Sequence, residues 1–154
     1  NPERFSVVQI VEESLKMMRD SFQEKKIILE KRFASDLPAV VVDGDKMRQV
    51  FLNILRNAAE AVEDGGRIKV EISRAKESGA ARIKVRISDD GCGIPEKDWE
   101  NIFEPFYTTK SSGFGLGLSN ARKIVEQHRG SIKIAKAKVK GTTFEVRIPC
   151  EVET

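Results

Sequence analysis

Cysteine and histidine are scarce in this chain of 154 residues, which contains two cysteines and one histidine. Cys92 and Cys150 lie far apart and form no CxxC pair, so neither a disulfide framework nor a zinc site is predicted. No apolar run approaches the roughly 18 residues that a membrane-spanning helix needs, and no signal peptide is evident. We therefore expect a domain that works in the reducing cytoplasm without touching a membrane, even if its parent protein is membrane-anchored.

A large excess of one charge is also missing. The chain has 27 Lys and Arg against 24 Asp and Glu, a net charge of +3, with both signs interspersed. Nucleic-acid-binding domains usually carry a concentrated basic surface, so no nucleic-acid partner is expected. The lysines within residues 133–141 are interpreted as the solvated face of a hairpin. The composition, with 40% hydrophobic and 33% charged residues, predicts that residues 1–154 form a single globular domain. We expect this domain to be a monomer and a fragment of a longer protein.

The spacing of apolar residues switches between helical and extended periods along the chain. Helical spacing predicts three helices, over residues 5–25 (with Ser6 as N-cap), 46–63 and 116–127. Alternating spacing predicts strands over residues 27–33, 40–42, 67–76, 82–89, 132–135 and 142–148. This order predicts an α+β fold, a two-layer α/β sandwich with a mixed, mostly antiparallel sheet covered on one face by three helices.

The segment GFGLGLSNARKIV, residues 113–125, combines three glycines with the start of an amphipathic helix. Glycine lets the backbone approach a ligand closely, and a helix N-terminus offers unpaired N–H groups and a partial positive charge. Such a segment can bind a phosphate group. Because glycine-rich turns before helices are common, the motif is weak by itself. A dinucleotide-binding fold is disfavoured because no strand precedes these glycines.

The second predicted helix carries a narrow polar stripe, formed by Asn53, Asn57, Glu60 and Asp64, along the border of its apolar face. Glu60 and Asp64 are interpreted as a solvated edge. Asparagine is a mediocre helix former, so two of them one turn apart indicate a function. An asparagine carbonyl oxygen is a hard, neutral ligand that suits Mg²⁺ already bound to phosphates and water.

The segment DDGCGIP, residues 89–95, follows the strand predicted over residues 82–89. A buried carboxylate only accepts hydrogen bonds, so Asp89 would select an amino group such as the exocyclic amine of adenine. Gly91 and Gly93 would let the backbone close over the base, and Ile94 would pack on its flat face. The alternative for this segment in isolation is an ordinary turn.

FEPFYTTK, residues 103–110, leads into the glycine-rich segment. Phe103 and Phe106 are predicted to anchor it, since both are apolar among polar neighbours. Residues 108–112 have the small, polar composition of a lid that orders around a ligand. Lys110 could reach a terminal phosphate as a point charge, or it is an ordinary solvent-exposed lysine.

These segments together resemble the catalytic and ATP-binding domain of sensor histidine kinases, in the GHKL superfamily that includes gyrase and the large heat-shock chaperone ATPase. The matching segments, in family order, are QVFLNILRNAAEA (49–61), DDGCGIP (89–95), FEPFYTTK (103–110), GFGLGL (113–118) and GTTFEVRIP (141–149). The resemblance covers essentially the whole chain. It implies a Bergerat fold that holds Mg-ATP between the asparagine helix and the lid.

The resemblance also implies a role for each matching residue. Asn57 would be the Mg²⁺ ligand, Asn53 its companion beside the phosphates, and Asp89 the partner of the adenine amine. Asn53, Asn57 and Lys110 would act in catalysis. Thr142 alternates in phase with Phe144, Val146 and Ile148 along its strand, so its side chain is expected to point inward. The remaining residues implied to contact ATP are Gly91, Gly93, Ile94, Gly113, Gly115, Leu116, Gly117, Leu118 and Thr142.

Position 53 favours phosphotransfer over hydrolysis. ATP-hydrolysing relatives carry a glutamate there as a general base, whereas Asn53 is a poor base. A neutral histidine is already nucleophilic and needs no such base. The resemblance therefore implies an ATP-dependent protein histidine kinase that phosphorylates a separate dimerisation domain, with a response regulator receiver domain as the next partner. The alternatives are a GHKL ATPase clamp and a non-catalytic nucleotide-binding or partner-docking module.

His128 is not expected to be the phosphoacceptor. It lies at the end of the third predicted helix, two residues before Gly130, where a structural role is common.

Overall fold

The structure is a computed structural model that describes residues 1–107, 117–136 and 140–151. Its elements are β1 (Glu3–Phe5), α1 (Val7–Met17), α2 (Arg19–Glu24), β2 (Ile28–Phe33), β3 (Val40–Val42), α3 (Gly44–Ala61), β4 (Arg67–Glu77), β5 (Ala80–Asp89), the 3₁₀ turns Glu96–Asp98 and Asn101–Phe103, α4 (Gly117–Gln127), β6 (Ser131–Ala135) and β7 (Thr142–Pro149). Across these ranges, no helix is both long and apolar enough to cross a membrane.

The main sheet has five strands in the order β2-β4-β5-β7-β6. β2 and β4 are parallel, and the other neighbouring strands are antiparallel. Helix α3 lies at the centre of the helical layer, in contact with α1, α4 and β5. Alternate residues of β5, Ile83, Val85 and Ile87, are buried in the core beneath this layer. The predicted two-layer α+β fold is confirmed.

Helix α3 begins where the sequence provides a cap. The Asp43 carboxylate accepts a hydrogen bond from the Lys46 backbone N–H at 3.2 Å. Met47, Phe51 and Ile54 are fully buried and hold the helix against the sheet.

Part of the predicted polar stripe is wrong because α3 ends earlier than expected. The helix ends at Ala61, with Val62 in an extended conformation, rather than at residue 63. The Lys25 ammonium donates a hydrogen bond to the Ala59 carbonyl oxygen at 2.8 Å, which satisfies one of the terminal carbonyls. Asp64 is exposed beyond the helix and is therefore not a member of a stripe along it.

The first predicted helix is also only partly correct. Ser6 is its N-cap, accepting a hydrogen bond from the Gln9 N–H at 3.4 Å. Phe5 belongs instead to β1, where it pairs with Val40, and the helix is interrupted at Met18. A three-residue strand that pairs with a distant segment leaves no periodic signal of its own.

The uncovered face of the sheet carries a row of alternating charges, with one residue from each strand. The row, in register across the sheet, is Arg32, Glu71, Arg86, Glu145 and Lys133. The Glu145 carboxylate is buried among cations: Arg147 Nε lies at 3.1 Å, and Arg86 Nε and Lys133 Nζ at 3.5 Å. Burial disfavours its ionisation, but the hydrogen bond from Arg147 and the nearby charges outweigh burial and hold its pKa below the usual 4.5.

Replacing this carboxylate tests the contribution of the row. We expect Glu145→Gln to lower the free energy of unfolding at pH 7 by about 1–2 kcal/mol, because three cations lose their shared anion. A carboxyl whose pKa is lowered in the folded state stabilises above its unfolded pKa and loses that effect as pH falls. Urea unfolding should show the deficit above about pH 5 and its disappearance in more acidic buffer. Glu77→Gln, which affects a more exposed pair with Arg82, should change little; equal losses would contradict the prediction.

Candidate functional site

The predicted phosphate side of the candidate site lies where α3 meets the beginning of α4. Asn53 and Asn57 are half-buried on α3, one turn apart. The Asn53 Nδ2 group donates a hydrogen bond to the Gly117 carbonyl oxygen at 2.9 Å, and its Oδ1 accepts one from Gln49 Nε2 at 3.0 Å. The fold therefore brings together the asparagine helix and the first residue of α4, two segments that are distant in sequence.

The predicted purine side of the candidate site lies at the end of β5. Asp89, the last residue of β5, is the direct cross-strand partner of Thr142, the first residue of β7. Both are buried, which confirms that Thr142 points into the protein. The Asp89 carboxylate accepts a hydrogen bond from the Gly91 N–H at 2.8 Å, so its orientation is fixed by its own turn.

Two glycines allow close backbone packing around Asp89. A Cβ atom on Gly91 would lie 2.4 Å from the Ala61 carbonyl oxygen, so only glycine lets the turn pack against the end of α3. A Cβ on Gly141 would lie 1.8 Å from the Asp89 carbonyl oxygen. No role is predicted for Gly141 from the sequence. Its position directly before the inward-facing Thr142 could have indicated that it lies close to the candidate site.

The segment after the acidic turn is fixed by an indole. Trp99 Nε1 donates a hydrogen bond to the Ile94 carbonyl oxygen at 2.9 Å. Ile94 is half-buried and packs against the core. This contact fixes the end of the DDGCGIP segment. Within the same segment, a Cβ on Gly93 would lie 3.3 Å from the Gly141 carbonyl oxygen.

Only one of the two predicted phenylalanine anchors is an anchor. Phe103 is buried, packs edge-to-face on Phe144 with ring centroids 6.3 Å apart, and lies under the Arg122 guanidinium at 5.4 Å. Phe106 is 73% exposed, so the prediction for it is wrong. Phe103 ends a 3₁₀ turn that contacts α4, whereas Phe106 follows that turn with a backbone φ of 66°.

The sequence profile of the family described as "Histidine kinase-, DNA gyrase B-, and HSP90-like ATPase" matches residues 42–152. The chain belongs to this family. Curated relatives include sporulation kinase E of Bacillus subtilis, 33% identical over 143 residues, and the sensor histidine kinase ZraS of Salmonella typhimurium, 38% identical over 140 residues. These matches cover 93% and 91% of this chain but only 19% and 30% of the relatives, so the chain spans less than a third of either.

Solved structures of histidine kinase catalytic domains share the fold. The nucleotide-free catalytic domain of the histidine kinase ThkA is 30% identical, with a TM-score of 0.87 covering 97% of this chain and 96% of that one. A structure of ThkA in complex with the response regulator protein TrrA has a TM-score of 0.81 at 28% identity, covering 97% of this chain and 42% of that one.

Part of the predicted phosphate-binding segment lies outside the described residues. Lys110, Gly113, Gly115 and Leu116 fall there, and their assignments stay predictions. Of the described part, Gly117 is exposed at the start of α4, while Leu118 is half-buried and packs against the core.

The described residues of the candidate site suit a metal that brings its own ligands. Among the described residues, no group of three His, Cys, Asp or Glu side chains could hold an ion. Mg²⁺ in nucleotide sites is usually held by one or two protein oxygens together with phosphates and water. A half-buried, neutral asparagine oxygen such as that of Asn57 fits this pattern.

Two surface cavities are formed by residues within the described ranges. One, of about 610 Å³, is lined by Phe103, Pro105, Ser119 and Arg122 among others. The second, of about 500 Å³, lies beside the Gly91–Ala61 contact. Asn53, Asn57 and Asp89 line neither of these two cavities.

His128 joins the other ends of α3 and α4. Its Nδ1 lies 2.8 Å from the Ile124 carbonyl oxygen, and its Nε2 accepts a hydrogen bond from the Asp43 backbone N–H at 3.1 Å. A carbonyl oxygen only accepts, so Nδ1 is the donating ring nitrogen and Nε2 the accepting one. Both nitrogens are occupied by backbone groups, which supports the structural role expected for His128.

Proposed function

We propose that this chain binds Mg-ATP between α3 and α4 and transfers the γ-phosphoryl group to a histidine on a separate dimerisation and phosphoacceptor domain of its parent protein. The hydrogen bond from Asn53 to Gly117 carries this proposal. It places a carboxamide, rather than a basic carboxylate, beside the helix N-terminus that would face the phosphates. A site without a general base suits an acceptor that is nucleophilic by itself.

On the purine side, the Asp89 carboxylate would accept a hydrogen bond from the adenine amine. The Gly91 N–H already donates a hydrogen bond to one oxygen of this carboxylate and fixes its orientation. Thr142 lies opposite Asp89 and would contact the same edge of the base. Gly93 and Ile94 would form the adjoining wall.

On the phosphate side, Asn57 would hold Mg²⁺ through its carbonyl oxygen, and Asn53 would lie beside the phosphates. When bound, Mg²⁺ supplies charge neutralisation at the β- and γ-phosphates. Lys110 would add a positive charge near the transferred group. The glycine-rich segment would supply backbone amides from Gly113, Gly115, Leu116, Gly117 and Leu118.

The chemistry itself requires little from the protein beyond position. A nitrogen of the acceptor imidazole forms a P–N bond to the γ-phosphorus while the bond to the β-phosphate oxygen breaks, and ADP leaves. Alignment of these atoms and neutralisation of phosphate charge are the main contributions that a protein makes to such a transfer. The next acceptor would be a response regulator receiver domain, as the complex of the relative ThkA with TrrA supports. The domain would act as a cytoplasmic monomer.

The proposal is tested by supplying the missing acceptor. We expect the chain, mixed with γ-labelled ATP, Mg²⁺ and the histidine-bearing domain of its parent, to produce acid-labile, base-stable phosphate on that domain and none on itself. Steady hydrolysis of ATP without transfer would favour the ATPase clamp instead. ATP binding with neither hydrolysis nor transfer would favour a non-catalytic binding or docking module.

Asn57→Ala should weaken the Mg²⁺-dependent part of ATP binding and leave metal-free binding nearly unchanged. Removing the carbonyl oxygen takes away a metal ligand, so affinity for ATP in Mg²⁺ should fall by about tenfold, whereas affinity in EDTA should change by less than about twofold. Calorimetric titration under both conditions measures this difference. Asn101→Ala, an exposed position on the turn before Phe103, should match the wild type in both buffers. An equal loss with and without Mg²⁺ would remove Asn57 from the metal site.

A further inference from the structure

A chain of two side-chain hydrogen bonds crosses from the exposed face of α3 to the beginning of α4. Gln49 Nε2 donates to Asn53 Oδ1 at 3.0 Å, and Asn53 Nδ2 donates to the Gly117 carbonyl oxygen at 2.9 Å. Gln49 lies four residues before Asn53, so the two side chains are neighbours on the helix surface. Gln49 is exposed and Asn53 is half-buried.

The direction of this chain is set by the backbone. The Gly117 carbonyl can only accept a hydrogen bond, so Asn53 must present its nitrogen to it. The Asn53 oxygen then faces Gln49, which must donate. A rotated Asn53 amide would place two oxygens against each other at Gly117, and the hydrogen bond from the Gln49 amide N–H to Asn53 Oδ1 opposes that rotation.

We propose that Gln49 is a positioning residue for the phosphate side of the nucleotide site. It holds the Asn53 carboxamide in one orientation and, through it, ties the first residue of α4 to α3. Gln49 acts through Asn53 rather than by touching the nucleotide. This role rests on the proposed function, because it matters only if phosphates bind beside Asn53 and Gly117.

Gln49→Met tests the role with little change in size. Methionine keeps an unbranched side chain of similar length but cannot donate, so Asn53 loses its fixed orientation. We expect affinity for Mg-ATP to fall by about two- to tenfold, the effect of one lost hydrogen bond. Gln23→Met is the matched control, since Gln23 is exposed on α2 away from the site; it should bind Mg-ATP as the wild type does. Because both positions are exposed, both variants should keep the melting temperature within about 2 °C.

A double-mutant cycle and one spectroscopic signal distinguish positioning from a general structural effect. In an Asn53→Ala background, Gln49→Met should cause no further loss of affinity, because the residue through which Gln49 acts is gone. In the nucleotide-free wild type, the two Asn53 side-chain amide protons should have well-separated NMR shifts, since one is hydrogen-bonded to Gly117. In Gln49→Met these shifts should move together and exchange faster, while Gln23→Met should leave them unchanged.

Three results would overturn the inference. The first is wild-type affinity in Gln49→Met, the second is an equal loss when Asn53 is already alanine, and the third is an Asn53 amide signal that does not respond to position 49. Failure of the proposed function has a different signature, because the wild type itself would then not bind Mg-ATP. That outcome would also end the role of Gln49 in nucleotide binding, although the NMR comparison would still report its hydrogen bond.

Discussion

Asp89→Asn is expected to weaken ATP binding by about ten- to a hundredfold, and to do so with or without Mg²⁺. A hydrogen bond between a carboxylate and the adenine amine is a charge-assisted contact worth about 1.5–3 kcal/mol. Asparagine has the same shape, and its carbonyl oxygen can still accept the hydrogen bond from the Gly91 N–H. Its amide nitrogen would then face the adenine amine, which places two donors against each other. The measurement is calorimetric titration with ATP in Mg²⁺ and in EDTA.

A neighbouring carboxylate provides the control for this result. Asp90 accepts a hydrogen bond from the Arg67 backbone N–H at 3.0 Å and belongs to the same turn. Asp90→Asn preserves an acceptor there and should leave ATP affinity within about twofold of the wild type. The wild type should also prefer ATP to GTP, because guanine carries a carbonyl oxygen where adenine carries its amine. Equal affinity for the two nucleotides would contradict the role of Asp89, as would an Asp89→Asn variant that binds ATP normally.

Sequence periodicity predicted the elements whose two faces differ strongly. Helix α3 has an aspartate cap at Asp43 and one fully buried face, and β5 alternates between the core and the charged outer face. Such patterns are local and can be recognised without a partner. The order of these elements was enough to predict a sheet with one helical layer.

The errors arose where a distant partner determined the local structure. Phe5 belongs to a strand only because Val40 pairs with it. Phe103 and Phe106 have the same local signature, yet only Phe103 reaches a core position, against Phe144. Asp64 fitted a helical stripe but lies beyond the end of α3. In each case the deciding contact lies far away along the chain.

Only part of the candidate site could be predicted from the sequence, as for the fold. Strand parity predicted that Thr142 faces inward, and the structure places it opposite Asp89. The chain of hydrogen bonds from Gln49 to Gly117 could not be read from periodicity, since Gln49 looks like an ordinary exposed helix residue. The need for glycine at position 141 depends on the approach of β7 to the end of β5, which appears only when the sheet is assembled.

Gly141→Ala is expected to cause the largest loss of stability, lowering the free energy of unfolding by more than about 3 kcal/mol. Gly141 has a backbone φ of 120°, which L residues rarely adopt. In addition, the alanine Cβ would lie 1.8 Å from the Asp89 carbonyl oxygen, so one of the two backbone segments must move. Urea unfolding, followed by circular dichroism, measures the loss.

Gly79→Ala separates the effect of the steric clash from the effect of a positive φ, because only the second applies at Gly79. Gly79 also has a positive φ, 81°, at the β4–β5 turn, but a Cβ there would meet nothing within 4 Å. Its substitution should cost only about 1–2 kcal/mol, the strain of the left-handed backbone. Where Gly141→Ala remains folded at low temperature, the displaced β5 end should also weaken ATP binding, whereas Gly79→Ala should bind normally because its turn is at the opposite end of β5. Equal destabilisation by the two alanines would mean that the contact with Asp89 is relieved at no cost, and that Gly141 does not hold the purine side of the site in place.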